Sequence, residues 1–377
     1  MSRAALAGLS VVDLSDDSCR YAARLFAGLG ADVVRVHDGD EHTAGPREHW
    51  DAYMSAGTRS VGDGRSWQAW CGELAPTADV VLVGGVQRAE AIHRLSLRET
   101  RPSLVVCTVT PFGRTGPRRG WHGDDLVAWA TGGLAYTSGD PDRPPVAPAP
   151  DLQLAHALSS QYAVIGILGA VRQARQTGRG QDIDISAQDC VVAITGETGP
   201  LLWLDDLIMR RRVGNRRKLS APFGQYPTRD GYVSIVAGMP AHWDAMAAWI
   251  VERTGNEGAL DPSLRGGPQS RTGGAWDVVN VFTEELTRTY LKQEFFEEAQ
   301  RRGIPAAPVN TIASVAADPQ LEERGFWARQ RMPDGRHVRV PGAPFRMSAT
   351  PWRCGDPPAE AAHTLEVSRE SFAQPAS

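Results

Sequence analysis

Side chains able to do chemistry are sparse in this chain. Its five cysteines, Cys19, Cys71, Cys107, Cys190 and Cys354, stand far apart, and no two have C-x-x-C spacing. That spacing argues against a zinc site or a thioredoxin-type redox pair, and so few cysteines in an odd number fit a reducing compartment. The fingerprint G-x-G-x-x-G is absent after the first strand-like run, so nothing points to a dinucleotide. The cations Arg210-Arg211-Arg212 with Arg216, Arg217 and Lys218 read as a solvated loop more readily than as an anion site. A different mixture gathers between positions 104 and 186. There the pair Asp124-Asp125 opens a helix pattern, and Asp151 and His156 precede a long apolar one.

The elements that must position these groups alternate. An apolar run at Leu9–Ser15 reads as a strand. Alanines and leucines at helical spacing follow over Tyr21–Leu29, and Gly30 stops them as a C′ glycine would. Ala31–His37 reads as a second strand, and Ala78–Gly85 and Ser103–Val109 repeat the pattern. Strand–helix–strand repetition predicts an α/β layer with parallel strands. A Gly/Pro loop, FGRTGPRRG, then leads into a helix pattern from Asp125 to Gly132-Gly133. The apolar helix through Ser160 to Gln176 ends at TGRGQ, and DIDIS reads as another strand. Beyond it the pattern changes. Ala221–Gly238 predicts an extended segment, a turn at Arg229-Asp230-Gly231 and a strand. Helical sequence is expected over His242–Thr254 and Val278–Arg302, with a loop over Gly255–Gly274. We therefore expect a large Rossmann-like domain over 1–210, completed by 325–377, and a small α+β domain over 221–320.

The chain has 377 residues, 42% hydrophobic and 22% charged, an ordinary globular composition with room for two domains. Forty basic and 44 acidic residues give 40 − 44 = −4. No basic excess suggests a nucleic acid, and no polybasic run beside an apolar face suggests a membrane surface. MSRAALAGLS is too short in apolar residues for a signal peptide, and no apolar run reaches membrane-spanning length. A cytoplasmic protein without a metal is the expectation.

Seven segments in order resemble the family III coenzyme A transferases, the group of formyl-CoA and carnitine CoA-transferases and α-methylacyl-CoA racemases. They are LAGLSVVDLS with LFAGLGADVVRV, SAGTRSV, TGRGQDIDIS, VGNRRKLSAPFGQYPTRDGYV, GIPAAPVNT, ADPQLEERGF and PGAPFRMSATP. The resemblance covers nearly the whole chain. It implies a pair of interlocked identical chains, each with a large Rossmann-like domain and an inserted small one.

The resemblance also implies chemistry. Family transferases use an aspartate that attacks an acyl-CoA thioester, and a carboxylate suits this because it forms an anhydride and a thioester reversibly. Counting back without a gap from Ile165-Gly166-Ile167-Leu168 puts His156 at that aspartate's position. Asp151 stays open as the nucleophile, because the Pro-rich connector can absorb an insertion. Imidazole forms no anhydride but serves as an acid/base. The racemases set a histidine against an aspartate. Here the family's GYD reads Gly123-Asp124-Asp125, so Asp124 and His156 look like an exchanged acid/base pair, with Asp125 as a helix cap. For the coenzyme, the basic residue after the second strand is replaced by His37-Asp38-Gly39-Asp40, ENFRPG by Val83-Gly84-Gly85-Val86-Gln87-Arg88, and a basic residue before GYD by His122. Arg114 remains to meet an anion, with Gly84, Gly85 and His122 as the other candidate contacts. These changes imply weak or no binding of free CoA, no covalently held cofactor, and a small acyl substrate or a pantetheine arm offered by an acyl carrier protein. A working transferase using Asp151, and a non-catalytic dimeric scaffold, are the alternatives.

Overall fold

The computed structural model describes residues 4–37, 48–147, 152–195, 200–209, 211–218, 220–332 and 334–370. The chain divides into two compact units. Unit 1 comprises Met1–Leu134, Ala147–Met209 and Pro319–Ser377, and unit 2 comprises Ala135–Val146 and Arg210–Asp318.

Unit 1 is built on six parallel strands: β1 (Ser10–Leu14), β2 (Asp32–Val36), β3 (Arg59–Val61), β4 (Val80–Gly84), β5 (Val105–Thr110) and β6 (Asp182–Ser186). Their order is β3-β2-β1-β4-β5-β6. This is the Rossmann-like α/β layer that the alternating patterns predict. β4 and β5 are buried along their whole length, as valine-rich strands covered on both faces must be. The period of two sends alternate residues to opposite faces. Val11, Val33, Val80, Leu82 and Val105 face one core with Phe26, Ala163 and Ile167. Val12, Val34, Val81, Val83 and Val106 face another with Trp70, Leu74 and Ile92.

Among the helices of unit 1 that cover this sheet or stand at its carboxyl edge are α1 (Arg20–Gly28), α2 (Glu48–Ser55), α3 (Trp67–Leu74), α4 (Val86–Ile92), α5 (Asp125–Thr131) and α6 (Leu154–Thr177). α1 ends where expected, with Gly30 at φ +90° just past its cap. α1 and α6 cover one sheet face together, and α3 and α4 lie on the other. Among the described residues α6 alone is long and apolar enough to cross a membrane, but 44% of its apolar window is buried within the protein. It is a core helix here. The C-terminal segment returns to the same unit: the Arg353 N–H donates to the Gly28 carbonyl (2.9 Å), and His363 N–H to that of Ser60 (2.9 Å).

Strand order reverses between β1 and β4, which pair in parallel with each other. Ligands in open α/β sheets bind outside the carboxyl ends of the strands at this switch point. The loop leaving β1 is fixed there by a buried ion pair. Arg35 Nη1 donates to Asp13 Oδ2 (3.1 Å) and to Ser15 Oγ (3.2 Å), and the Ser15 N–H donates to Asp13 Oδ1 (2.9 Å).

Unit 2 holds an antiparallel sheet of β7 (Phe223–Thr228), β8 (Gly231–Val236) and β9 (Ala306–Pro308). The turn falls at Arg229-Asp230, as the sequence predicts. Helices α7 (Pro240–Thr254), α8 (Gly274–Thr287) and α9 (Lys292–Arg301) enclose Trp243, Trp249 and Phe295. The single helical stretch expected over 278–302 is two helices. The chain breaks at Leu291, where the Glu294 carboxylate accepts from the Leu291 N–H (3.2 Å) and starts α9 anew. The expected loop over 255–274 contains three short 3₁₀ turns, two of them opening on Pro262 and Pro268.

Candidate active site

His156 lies in the first turn of α6 and is only 9% exposed. Its buried Nδ1 has no hydrogen-bond partner among the described residues. The Asp125 carboxylate accepts the His156 backbone N–H (2.9 Å), satisfying one of the free N–H groups at the start of α6. Ala128 and Ala155 pack where α5 meets α6, and their small size lets the two helix starts come close. Asp124, one residue earlier, caps α5: its Oδ1 accepts the Val127 N–H (3.0 Å). The capping role expected of Asp125 therefore belongs to Asp124: the helix starts at Asp125 itself, so the residue before it is the N-cap.

His156 lines a cavity of about 270 Å³ with three other polar side chains, Asp17, Gln153 and Gln161. Asp124 does not line it; its exposed carboxylate is committed to its own helix. The exchanged Asp124–His156 pair expected from the sequence is thus not brought together in this cavity. The carboxylate that does share the cavity is Asp17, in the turn between β1 and α1 at the switch point. The sequence signal was present in Asp16-Asp17 after the first strand, but nothing local distinguishes it from a loop aspartate.

Two contacts lock the Asp17 turn to α6. Gln153 Nε2 donates to Asp17 Oδ2 (3.3 Å), and Ser159 Oγ donates to the Ser18 carbonyl (2.8 Å). Gln153 itself has φ +43°, a left-handed conformation that costs a non-glycine residue about 1 kcal/mol or more. Its held side chain and its carbonyl, which accepts the Ala157 N–H (2.9 Å), sustain that conformation.

The remaining wall is largely apolar: Tyr21 from α1, and Trp50, Tyr53 and Met54 from α2. The Arg20–Asp51 ion pair holds α2 to α1. Arg24, fully buried, lies between the rings of Tyr53 (5.2 Å) and Trp352 (5.1 Å). Burial pushes the Tyr53 hydroxyl up to about 12, with Tyr21 adding and Arg24 opposing. The neutral phenol is favoured on folding, so its contribution to stability is complete below pH 10 and is lost as pH rises through 12. In an alkaline absorbance titration, Tyr53→Phe should remove a late-ionising component. An unchanged late phase would contradict this burial.

Arg114 stands elsewhere, in a cleft of about 390 Å³ beside the carboxyl ends of β4 and β5. Arg94 and Arg119 line the same cleft, with Glu90, His93 and Thr110. The Asp184 carboxylate holds the Arg114 backbone N–H (3.0 Å). His93 Nε2 and Thr110 Oγ1 are buried without partners among the described residues. Burial, then the nearby Arg114 charge, lowers the His93 pKa, against an opposing effect of Asp182. The local excess of cations suits an anion. Arg94 and His93 were not singled out from the sequence; they reach the cleft from the short 3₁₀ turn that follows α4.

The other expected coenzyme contacts are placed differently. A Cβ at Gly84 would collide with Asp16, and one at Gly85 would come within 2.8 Å of its carboxylate. The room left by these glycines is filled by Asp16, whose side chain also accepts the Ser18 N–H (3.0 Å). They accommodate a side chain of this chain at close range. His122 is exposed and lines neither cavity. Asp151, Asp38, Asp40 and Arg210 lie outside the described residues. No cluster of three or more metal-binding side chains occurs among the described residues.

Residues 6–364 match the family model described as CoA-transferase family III. The chain is 30% identical over 387 residues to the succinyl-CoA:(R)-benzylsuccinate CoA-transferase subunit BbsE of Thauera aromatica, covering 95% of this chain and 92% of that one. It is 28% identical to the succinate–glutarate CoA-transferase of Agrobacterium fabrum, covering 97% and 95%. A CaiB/BaiF family protein from Brucella suis superposes with a TM-score of 0.82 at 26% identity, covering 98% of this chain and all of that one. The matched residues run from before β1 to the final helix, so the chain belongs to CoA-transferase family III.

Proposed function

We propose that this chain moves CoA, or a carrier-bound pantetheine, from an acyl thioester to a small carboxylic acid in the cavity beside His156. The observation that carries this reading is one cavity that gathers a buried imidazole and a carboxylate at the switch point of the sheet. The relatives' named activities, transfer from succinyl-CoA to benzylsuccinate or malate, support the reaction class. Within it His156 is the acid/base: imidazole donates to the thioester oxygen or the departing thiolate, and accepts when the thiol attacks again. The aromatic wall and the absence of lysine or arginine among the described lining residues favour an apolar or aromatic acyl group. Incubation with an aryl-acyl-CoA and an isotopically labelled free acid should give the labelled thioester. No labelled thioester with any donor, alkyl, aryl or dicarboxylic, would refute the reading.

The Arg94–Arg114–Arg119 cleft is the proposed seat of the coenzyme's phosphates. Hydrogen bonds to charged groups contribute about 1.5–3 kcal/mol each, so losing one costs roughly tenfold or more in affinity. Arg94→Ala with Arg119→Ala should therefore raise KM for a CoA donor at least tenfold and leave a pantetheine donor unaffected. Equal KM changes for both donors would place the phosphates elsewhere. If only a carrier-bound thioester is a substrate, the arginines would act on the carrier's acidic surface instead. The reading includes a homodimer, to be checked by light scattering.

A further inference from the structure

We propose that Asp17, rather than any group at position 156, is the nucleophilic carboxylate of this enzyme. The inference rests on the transfer reaction just proposed and names the atom that carries it. An imidazole stands in the first turn of α6, and it cannot form the anhydride that exchange between two carboxylates requires. The same cavity nevertheless contains a carboxylate, Asp17, just past the carboxyl end of β1. Gln153 Nε2 holds its Oδ2 (3.3 Å) and so orients the carboxyl group. The Ser159–Ser18 hydrogen bond fixes the turn that bears it against the helix that bears His156. Both residues sit at helix starts, Asp17 just before α1 and His156 in α6, so N–H dipoles favour negative charge developing between them. The buried His156 Nδ1 has no partner among the described residues, which leaves it available to a ligand in the same cavity.

The steps balance without a further reagent. A carboxylate oxygen of Asp17 attacks the thioester carbonyl carbon, the C–S bond breaks, and a mixed acyl–aspartyl anhydride and CoA thiolate result. The thiolate attacks the Asp17 carbonyl carbon, releasing the donor acid as its carboxylate and leaving an Asp17 thioester. The acceptor carboxylate attacks that carbon and expels thiolate, which attacks the acceptor's carbonyl and frees Asp17. No net proton or electron is exchanged, and one oxygen passes between Asp17 and the acids in each cycle.

The test is to trap the full-length protein with an acyl-CoA and borohydride or hydroxylamine, and to map the modified peptide. Modification at Asp17, absent in Asp17→Asn, is the expected result. Asp17→Asn should also lose at least a thousandfold in turnover while keeping the native circular dichroism. Modification at Asp151 or elsewhere, with transfer intact, would overturn Asp17 and leave the proposed function standing. Full turnover in Asp17→Asn would do the same. If the unaltered protein shows neither adduct nor transfer, the function itself fails and the assignment with it. Should Asp17→Asn not fold, transfer of ¹⁸O from labelled acceptor acid into the peptide containing Asp17 supplies the same decision.

Discussion

Replacing His156 by alanine or glutamine lowers kcat by about a hundredfold to ten-thousandfold, the usual range for losing a positioned acid/base. The fold survives, because what the structure asks of position 156 is its backbone: the N–H that Asp125 accepts is untouched by the substitution. His156→Gln keeps most of the volume of a side chain that is 9% exposed, so a cavity is not the cause of its loss. The pH–rate profile separates chemistry from packing. If His156 transfers protons, the variant loses one limb of the profile as well as rate. A histidine that only packs would change the rate and leave both limbs. Turnover within threefold of the unaltered enzyme in both variants would exclude an acid/base role. KM should change less than kcat, because proton transfer in the transition state adds little to ground-state binding.

How much of this was legible beforehand differs between scaffold and site. The sheet was readable because β1, β2, β4 and β5 are short valine-rich runs separated by helical spacing, and each signal is local. Strand pairing completed it with few surprises. The break at Leu291 was missed since it depends on one carboxylate folding back on one N–H, without a glycine or proline to announce it. At the candidate site the sequence singled out position 156, which lines a cavity, while its expected partner Asp124 does not line that cavity. Asp124 and Asp125 are adjacent, and a shift of one residue in a helix start decides which one caps and which reaches across. Spacing does not determine such a shift, and boundaries are where sequence reading is weakest. Asp17 was invisible for another reason. It lies 139 positions from His156 in the chain, and the two meet only because β1 and the start of α6 are brought to one switch point by the order of the sheet. Gly84 and Gly85 carried a real signal, room for close approach, but sequence does not say what approaches, and it is Asp16.

The same switch point carries the largest expected effect on stability. Asp13 and Arg35 are 1% and 3% exposed, and their ion pair lies at the carboxyl ends of β1 and β2. Asp13→Asn takes the charge out of a buried ion pair with Arg35, and breaking such a pair costs about 3–5 kcal/mol. Against a typical total of about 5–15 kcal/mol, that is a third or more of the folded state's margin. Urea unfolding should show the midpoint fall with the slope unchanged, since the surface exposed on unfolding is the same. Removing both charges, as in Asp13→Leu with Arg35→Met, takes the buried cation away with its carboxylate and should recover part of the loss. Recovery is incomplete because Arg35 also donates to the Ser15 carbonyl (3.3 Å) and Asp13 accepts the Ser15 N–H. Each buried backbone group left unmatched costs about 1–3 kcal/mol. Those two bonds fix the start of the turn that presents Asp16 and Asp17. The double variant should therefore lose turnover beyond what its stability explains, even at temperatures where it is fully folded. A double variant with full stability and full turnover would show that the pair clamps nothing. A single Asp13→Asn variant with a loss under about 1 kcal/mol would show that the charge is solvated, contrary to its burial.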